Sequence, residues 1–118
     1  MSTAAELGVS GLGPVGTRAV LGSVATGLVA TGNSAATALT IGAVNNFVTT
    51  SSASTGVILP PGSAGDQIFI SNRAGQALVV YPPAGATINN TTSFSQTSAK
   101  NAFYVYASAT AIEPVLSA

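Results

Sequence analysis

Residues 56–90 read GVILPPGSAGDQIFISNRAGQALVVYPPAGATINN. Three short apolar runs lie in this stretch: Val57-Ile58-Leu59, Ile68-Phe69-Ile70 and Leu78-Val79-Val80-Tyr81. Each is closed by turn chemistry, first Pro60-Pro61-Gly62, then Asn72-Arg73-Ala74-Gly75, then Pro82-Pro83-Ala84-Gly85. Apolar runs separated by turns at about ten-residue spacing predict the short strands of an antiparallel all-β domain. The expected architecture is a jelly-roll-like β-sandwich or barrel of about seven or eight strands. It occupies residues 32–118 and follows an extended N-terminal arm, residues 1–31.

Composition narrows the chemistry. The chain has 118 residues, no cysteine and no histidine. A disulfide framework and a thiolate metal site are therefore impossible. The commonest general base and transition-metal ligand is missing too. Only Glu6, Arg18, Asp66, Arg73, Lys100 and Glu113 carry charge, which is 5% of the chain. Ordinary soluble domains carry roughly 25%. The formal net charge is zero, so phosphate neutralisation gives no route to nucleic-acid binding. A surface so poor in charge has little protection against association, which favours a subunit that works inside an assembly. Met1–Glu6 has no cationic n-region of the kind that opens a secretory signal. Gly, Ser and Thr interrupt every apolar stretch, so no membrane span or anchor is expected.

The flanking segments complete the expected layout. Glycine recurs at 8, 11, 13, 16, 22 and 27, which argues against a stable helix and for an extended arm. Its 31 residues would reach on the order of 100 Å if fully extended. Gly11-Leu12-Gly13-Pro14-Val15-Gly16 matches G-x-G-x-x-G. A dinucleotide site also needs a preceding strand and an acidic residue about 20 positions on. No acidic side chain stands between Glu6 and Asp66, so the motif reads as a Gly/Pro elbow. Gly32-Asn33-Ser34 is the expected boundary. Residues 35–43 and 44–50 follow as β-prone segments that could pair across Gly42-Ala43 or form one bent strand. Asn72–Gly75 predicts a four-residue hairpin turn joining the central strands. Phe69 lies on an otherwise polar side of its strand, which predicts that both faces of the sheet are covered. Ile88 anchors a short strand, and Phe94 sits alone in a polar edge segment. In Lys100–Ala107, Phe103 and Val105 point one way and Tyr104 and Tyr106 the other. Pro114 marks an edge position in the last strand.

No residue pattern specifies catalysis. Hydroxyls are plentiful, but the only candidate bases are Lys100 and three scattered carboxylates. A Ser–Lys dyad is conceivable, although chance proximity explains it in so serine-rich a chain. Asp66 is a single carboxylate where a calcium site needs six to eight oxygens. Its expected roles are turn formation or a pair with Arg73 across the hairpin. Tyr81, Tyr104 and Tyr106 could stack on sugars, but aromatic strands more often fill a core or an interface. The N-x-[ST] sequons in Asn89-Asn90-Thr91-Thr92 matter only in a secretory pathway. No cofactor and no metal is expected.

From about Asn33 to Tyr106, the chain resembles small virion proteins of tailed bacteriophages and prophages. The matching segments are ATALT, VNNFVTT, GVILPPGSAGDQIFISN and ALVVYPPAGATIN, followed by an aromatic closing strand. Members commonly end in a strand containing tryptophan. This chain has none, and Tyr104 and Tyr106 stand in that place. The resemblance implies a head decoration (cement) protein on the outer surface of the capsid, made in the bacterial cytoplasm. Its implied partner is the major capsid protein, and a homotrimer is the preferred state. Expected contact residues are Leu7, Val9, Leu12, Val15, Arg18, Val20 and Leu21 in the arm, with Phe94 and Tyr104 on the domain. The alternatives are a fibre or head-spike module that binds host glycans, or a neck or tail component.

Overall fold

Residues 45–66 and 67–88 repeat one another at an offset of 22 positions. Phe47 aligns with Phe69, Val48 with Ile70, Val57 with Val79, and Pro60-Pro61 with Pro82-Pro83. The computed structural model describes residues 23–52 and 54–117, and there the repeat becomes coils stacked on one another. Ten strands are present: β1 Val24–Val29, β2 Leu39–Thr40, β3 Asn45–Thr50, β4 Gly56–Ile58, β5 Gln67–Asn72, β6 Leu78–Tyr81, β7 Thr87–Ile88, β8 Phe94–Gln96, β9 Asn101–Tyr106 and β10 Ala111–Leu116. No helix occurs among the described residues.

From β1 to β6, successive strands alternate between the two sheets instead of turning back on themselves. The larger sheet has the order β1-β3-β5-β9-β10-β7, and the smaller has β2-β4-β6-β8. β1, β3 and β5 run parallel, as do β2, β4 and β6. β7 is parallel to β10. Antiparallel pairing is confined to β5–β9, β9–β10 and β6–β8. The fold is thus all-β with two mixed sheets in a solenoid-like arrangement, where an antiparallel sandwich or barrel was expected. The hairpin predicted at Asn72–Gly75 is absent, and residues 35–43 and 44–50 neither pair with each other nor form one bent strand. Asn72–Gly75 carries the chain from β5 in one sheet to β6 in the other, and residues 42–44 do the same between β2 and β3. β1 lies within the stretch read as an arm and forms the first strand of the larger sheet. Ala30 joins the core and Thr31 bridges to Gly56, so the folded unit extends back at least to Ser23.

The core lies between the sheets. Val48, Ile68, Ile70, Ala102, Tyr104, Tyr106 and Ile112 enter it from the larger sheet. Val57, Leu78 and Val80 meet them from the smaller one, with Ile41, Leu59 and Ile88 filling in from the connections and β7. Close stacking leaves no room for a side chain at Gly56. A Cβ there would stand 2.4 Å from the Val79 carbonyl oxygen and 2.8 Å from the Tyr81 ring. Gly27, at φ +67°, absorbs the extra residue between the pairs Ala25–Asn46 and Leu28–Val48 as a bulge. Asn89 and Asn90 both adopt left-handed φ, 49° and 63°, in a two-residue turn closed by Ile88 and Thr91.

One buried polar network ties the sheets together. The Tyr104 hydroxyl on β9 donates to Gln96 Oε1 on β8 at 2.7 Å. Gln96 Nε2 donates to the carbonyls of Ile70 and Lys100, each at 2.9 Å. Asn72 Nδ2 donates to the Gln96 and Gln76 carbonyls, both at 3.0 Å, while its Oδ1 accepts from Ala74 N. Gln96 and Asn72 are wholly buried, and these bonds offset the cost of taking their amides out of water. Burial holds the Tyr104 phenol far above its ordinary pKa. At the other end of β9, the Tyr106 hydroxyl donates to the Pro60 carbonyl. Burial, and then the Asp66 carboxylate, push the Tyr106 phenol up to about 12.

Two outcomes follow for stability. Tyr104→Phe leaves the buried Gln96 Oε1 without its donor and should destabilise the fold by about 1–3 kcal/mol, read from urea unfolding. The alkaline limb has a fixed sign. Tyr106 ionises at about 10 in the unfolded chain and about 12 when folded. Its contribution is therefore complete below pH 10 and is lost as pH rises through 12. The urea midpoint should hold steady up to the lower value and then fall, in step with phenolate absorbance.

Candidate functional site

The period-two geometry of a strand fixes which side chains reach the outside of the larger sheet. On β9, Tyr104 and Tyr106 point into the core, so Phe103 and Val105 point out. On β5, Ile68 and Ile70 point in and Phe69 points out. On β3, Asn46 and Val48 point in and Phe47 points out. Phe69 pairs directly with Phe103, and Phe103 with Val115 on β10. The three rings form a continuous row. Phe47 and Phe69 meet edge-on with centroids 5.8 Å apart, and Phe69 and Phe103 lie 5.1 Å apart. Phe103 is 46% exposed and Val115 57%.

The row has defined surroundings. Arg73 lies over the Phe47 ring, its guanidinium carbon 5.4 Å from the centroid, in a cation–π contact. Beside it, Thr26, Phe47, Thr49 and Arg73 line a shallow groove of about 260 Å³. At the other end, Asn101, Phe103 and Val115–Ser117 line one of about 220 Å³. Ligand pockets run from ~300 to 1,000 Å³, so each groove is undersized for a drug-sized molecule. An outward-facing aromatic row flanked by two shallow grooves is suited to contact with another protein surface.

The other sequence-derived sites fall differently. Among the described residues, no three or more Asp and Glu side chains gather where they could hold a metal ion. Asp66 closes a turn: its Oδ2 accepts from Ser63 N at 2.9 Å, and its own N–H donates to the Ser63 carbonyl. The expected Asp66–Arg73 pair across a hairpin does not form, because that hairpin does not exist and Arg73 covers Phe47. Tyr104, expected as an exposed contact, is fully buried. Phe94 is half-buried and packs edge-on against Tyr104, with centroids 6.2 Å apart. The sugar-stacking platform of Tyr81, Tyr104 and Tyr106 therefore loses two of its rings to the core. Leu7, Val9, Leu12, Val15, Arg18, Val20 and Leu21 lie outside the described residues.

Sequence reading noted Phe69 as out of place on a polar side but did not connect it to Phe47 or Phe103. The signal was the 22-residue repeat, which aligns Phe47 with Phe69 on adjacent parallel strands. Phe103 reaches the row only through the antiparallel pairing of β9 with β5, which no local pattern announces. No protein-family model, curated protein or solved structure matches this chain.

Proposed function

We propose that this chain is a structural subunit of a tailed-phage virion. In this reading it is a head decoration (cement) protein that binds the outside of the capsid shell and bridges its subunits. The observation that carries the reading is the outward-facing phenylalanine row, half-buried at Phe47 and Phe69 and exposed at Phe103, on a chain with six charged side chains. The segments from ATALT to ALVVYPPAGATIN supply the phage setting through their resemblance to virion proteins.

The mechanism needs no chemistry beyond binding. A protein that binds the assembled shell and not its free subunits shifts the equilibrium toward the shell by mass action. In the proposed homotrimer, three modest contacts act at high effective concentration once one has formed. The major capsid protein is the proposed partner, and no cofactor, nucleic acid or membrane enters the scheme. Synthesis in the host cytoplasm would precede attachment to the outer surface of the head.

Residues 1–22 carry the proposed shell attachment. A chain starting at Ser23 should keep its β-sheet circular dichroism and cooperative unfolding yet lose co-sedimentation with shells; full retention would remove attachment from the arm. Quantitative mass spectrometry of purified particles tests the function itself. Hundreds of copies per particle are expected for a lattice decoration, whereas about a dozen would mean a fibre, neck or tail component. Absence from the particles would end the virion reading.

A further inference from the structure

The phenylalanine row lies between two opposite charges. Arg73 follows β5 directly and lies at the Phe47 end of the face. Glu113 lies on β10 beside Val105, which in turn pairs with Gln67 at the start of β5. Gln67 and Arg73 are six positions apart, so the two charges are separated by about 20 Å along the strands. β10 is two strands beyond β5, which adds about 10 Å across them. Both charged side chains are exposed. The face thus has an apolar centre, one cation at one corner and one anion at the diagonal corner.

We propose that this face is where copies of this chain meet, with Arg73 of one copy paired to the partner's Glu113. The proposal rests on the phenylalanine row being a protein-binding surface, and it commits that surface to a second copy. Charge complementarity is the argument. A purely acidic or purely basic partner would satisfy one corner and oppose the other. A second copy brings both missing signs along with its own phenylalanine row. Copies gathered with this face toward a shared axis that runs perpendicular to the Arg73–Glu113 diagonal set the Arg73 corner of one against the Glu113 corner of the next. The contact then repeats around the ring until it closes. The parallel block β1-β3-β5 gives a second reason. Parallel sheets are normally covered on both faces, and the outer face of this one is open in the single chain.

The experiment is the oligomeric state of the full-length chain, measured by light scattering and sedimentation equilibrium. The wild-type chain should associate, at a mass near three times 11.4 kDa for the proposed trimer. Phe69→Ser with Phe103→Ser should give monomers with unchanged β circular dichroism. Should that pair of changes impair folding, charge reversal decides. Arg73→Glu and Glu113→Arg should each weaken association about tenfold or more, and the double reversal should restore it. A wild-type chain that stays monomeric at ~100 µM overturns the proposal, that concentration lying well above the Kd of a specific complex. So does an oligomer indifferent to all four variants. A monomeric full-length chain whose form starting at Ser23 associates also overturns it, because residues 1–22 then occupy the face. Monomers in solution alongside hundreds of copies per particle would sink this pairing and leave the virion reading standing.

Discussion

The Gln96 side chain is the constraint on which the two-sheet arrangement depends. It enters from the edge strand of the smaller sheet and spends its amide on Tyr104, Ile70 and Lys100. A buried amide tolerates little slippage, because each lost bond leaves an unpaired group in a dry interior. The network therefore sets how β8 registers against β5 and β9. Once Tyr104 is held inward, alternation forces Phe103 outward. The register of β5 against β9 then brings Phe69 beside it. A polar contact in the core thus determines an apolar feature on the surface.

Much of the local structure was legible in the sequence. The strands near 57–59, 68–71, 78–81 and 101–106 follow from apolar runs bounded by Pro, Gly and Asn, and the opposite orientations of Phe103 and Tyr104 follow from simple alternation. Asp66 as a turn residue was likewise readable. Strand pairing was not. Strand-turn-strand looks the same whether the chain folds back beside itself or crosses to the opposite sheet. The parallel pairs join residues 18 to 24 positions apart, such as Leu39 with Val57 and Asn45 with Phe69, so they leave no local trace. The repeated proline pairs at 60–61 and 82–83 were the available clue to stacked coils. Gln96 was hidden for a different reason: within TTSFSQTS it looks like one more exposed polar residue. β1 was hidden by its glycine, which would weaken a regular strand and here accommodates a bulge.

The candidate site was partly visible for the same reasons. Which of the two apolar sides of β9 faces the core depends on partners that the strand itself does not name. Both sides are aromatic or β-branched, so hydrophobicity cannot choose. The choice rests on the phenol hydroxyls, which find Gln96 and the Pro60 carbonyl inside. Phenylalanine has no polar atom to satisfy and so makes no use of those interior partners. The proposed assembly role makes use of this difference: tyrosines secure the interior while phenylalanines are left for contact.

The far edge of the larger sheet adds one more consequence. Ala107 N donates to the Ala111 carbonyl and Ser117 N to the Asn101 carbonyl, so the odd-numbered backbone of β10 bonds to β9. The even-numbered backbone points the other way, where Asn89 N reaches the Ile112 carbonyl. β7 covers only Ala111 and Ile112, leaving Pro114 on the uncovered stretch. Stacked coils are by nature extendable, since a second molecule could add its first strand to the last strand of the one before. At Pro114 the backbone has no N–H to offer such a newcomer. That missing donor works against open-ended strand addition at this edge, which accords with the closed assembly proposed above.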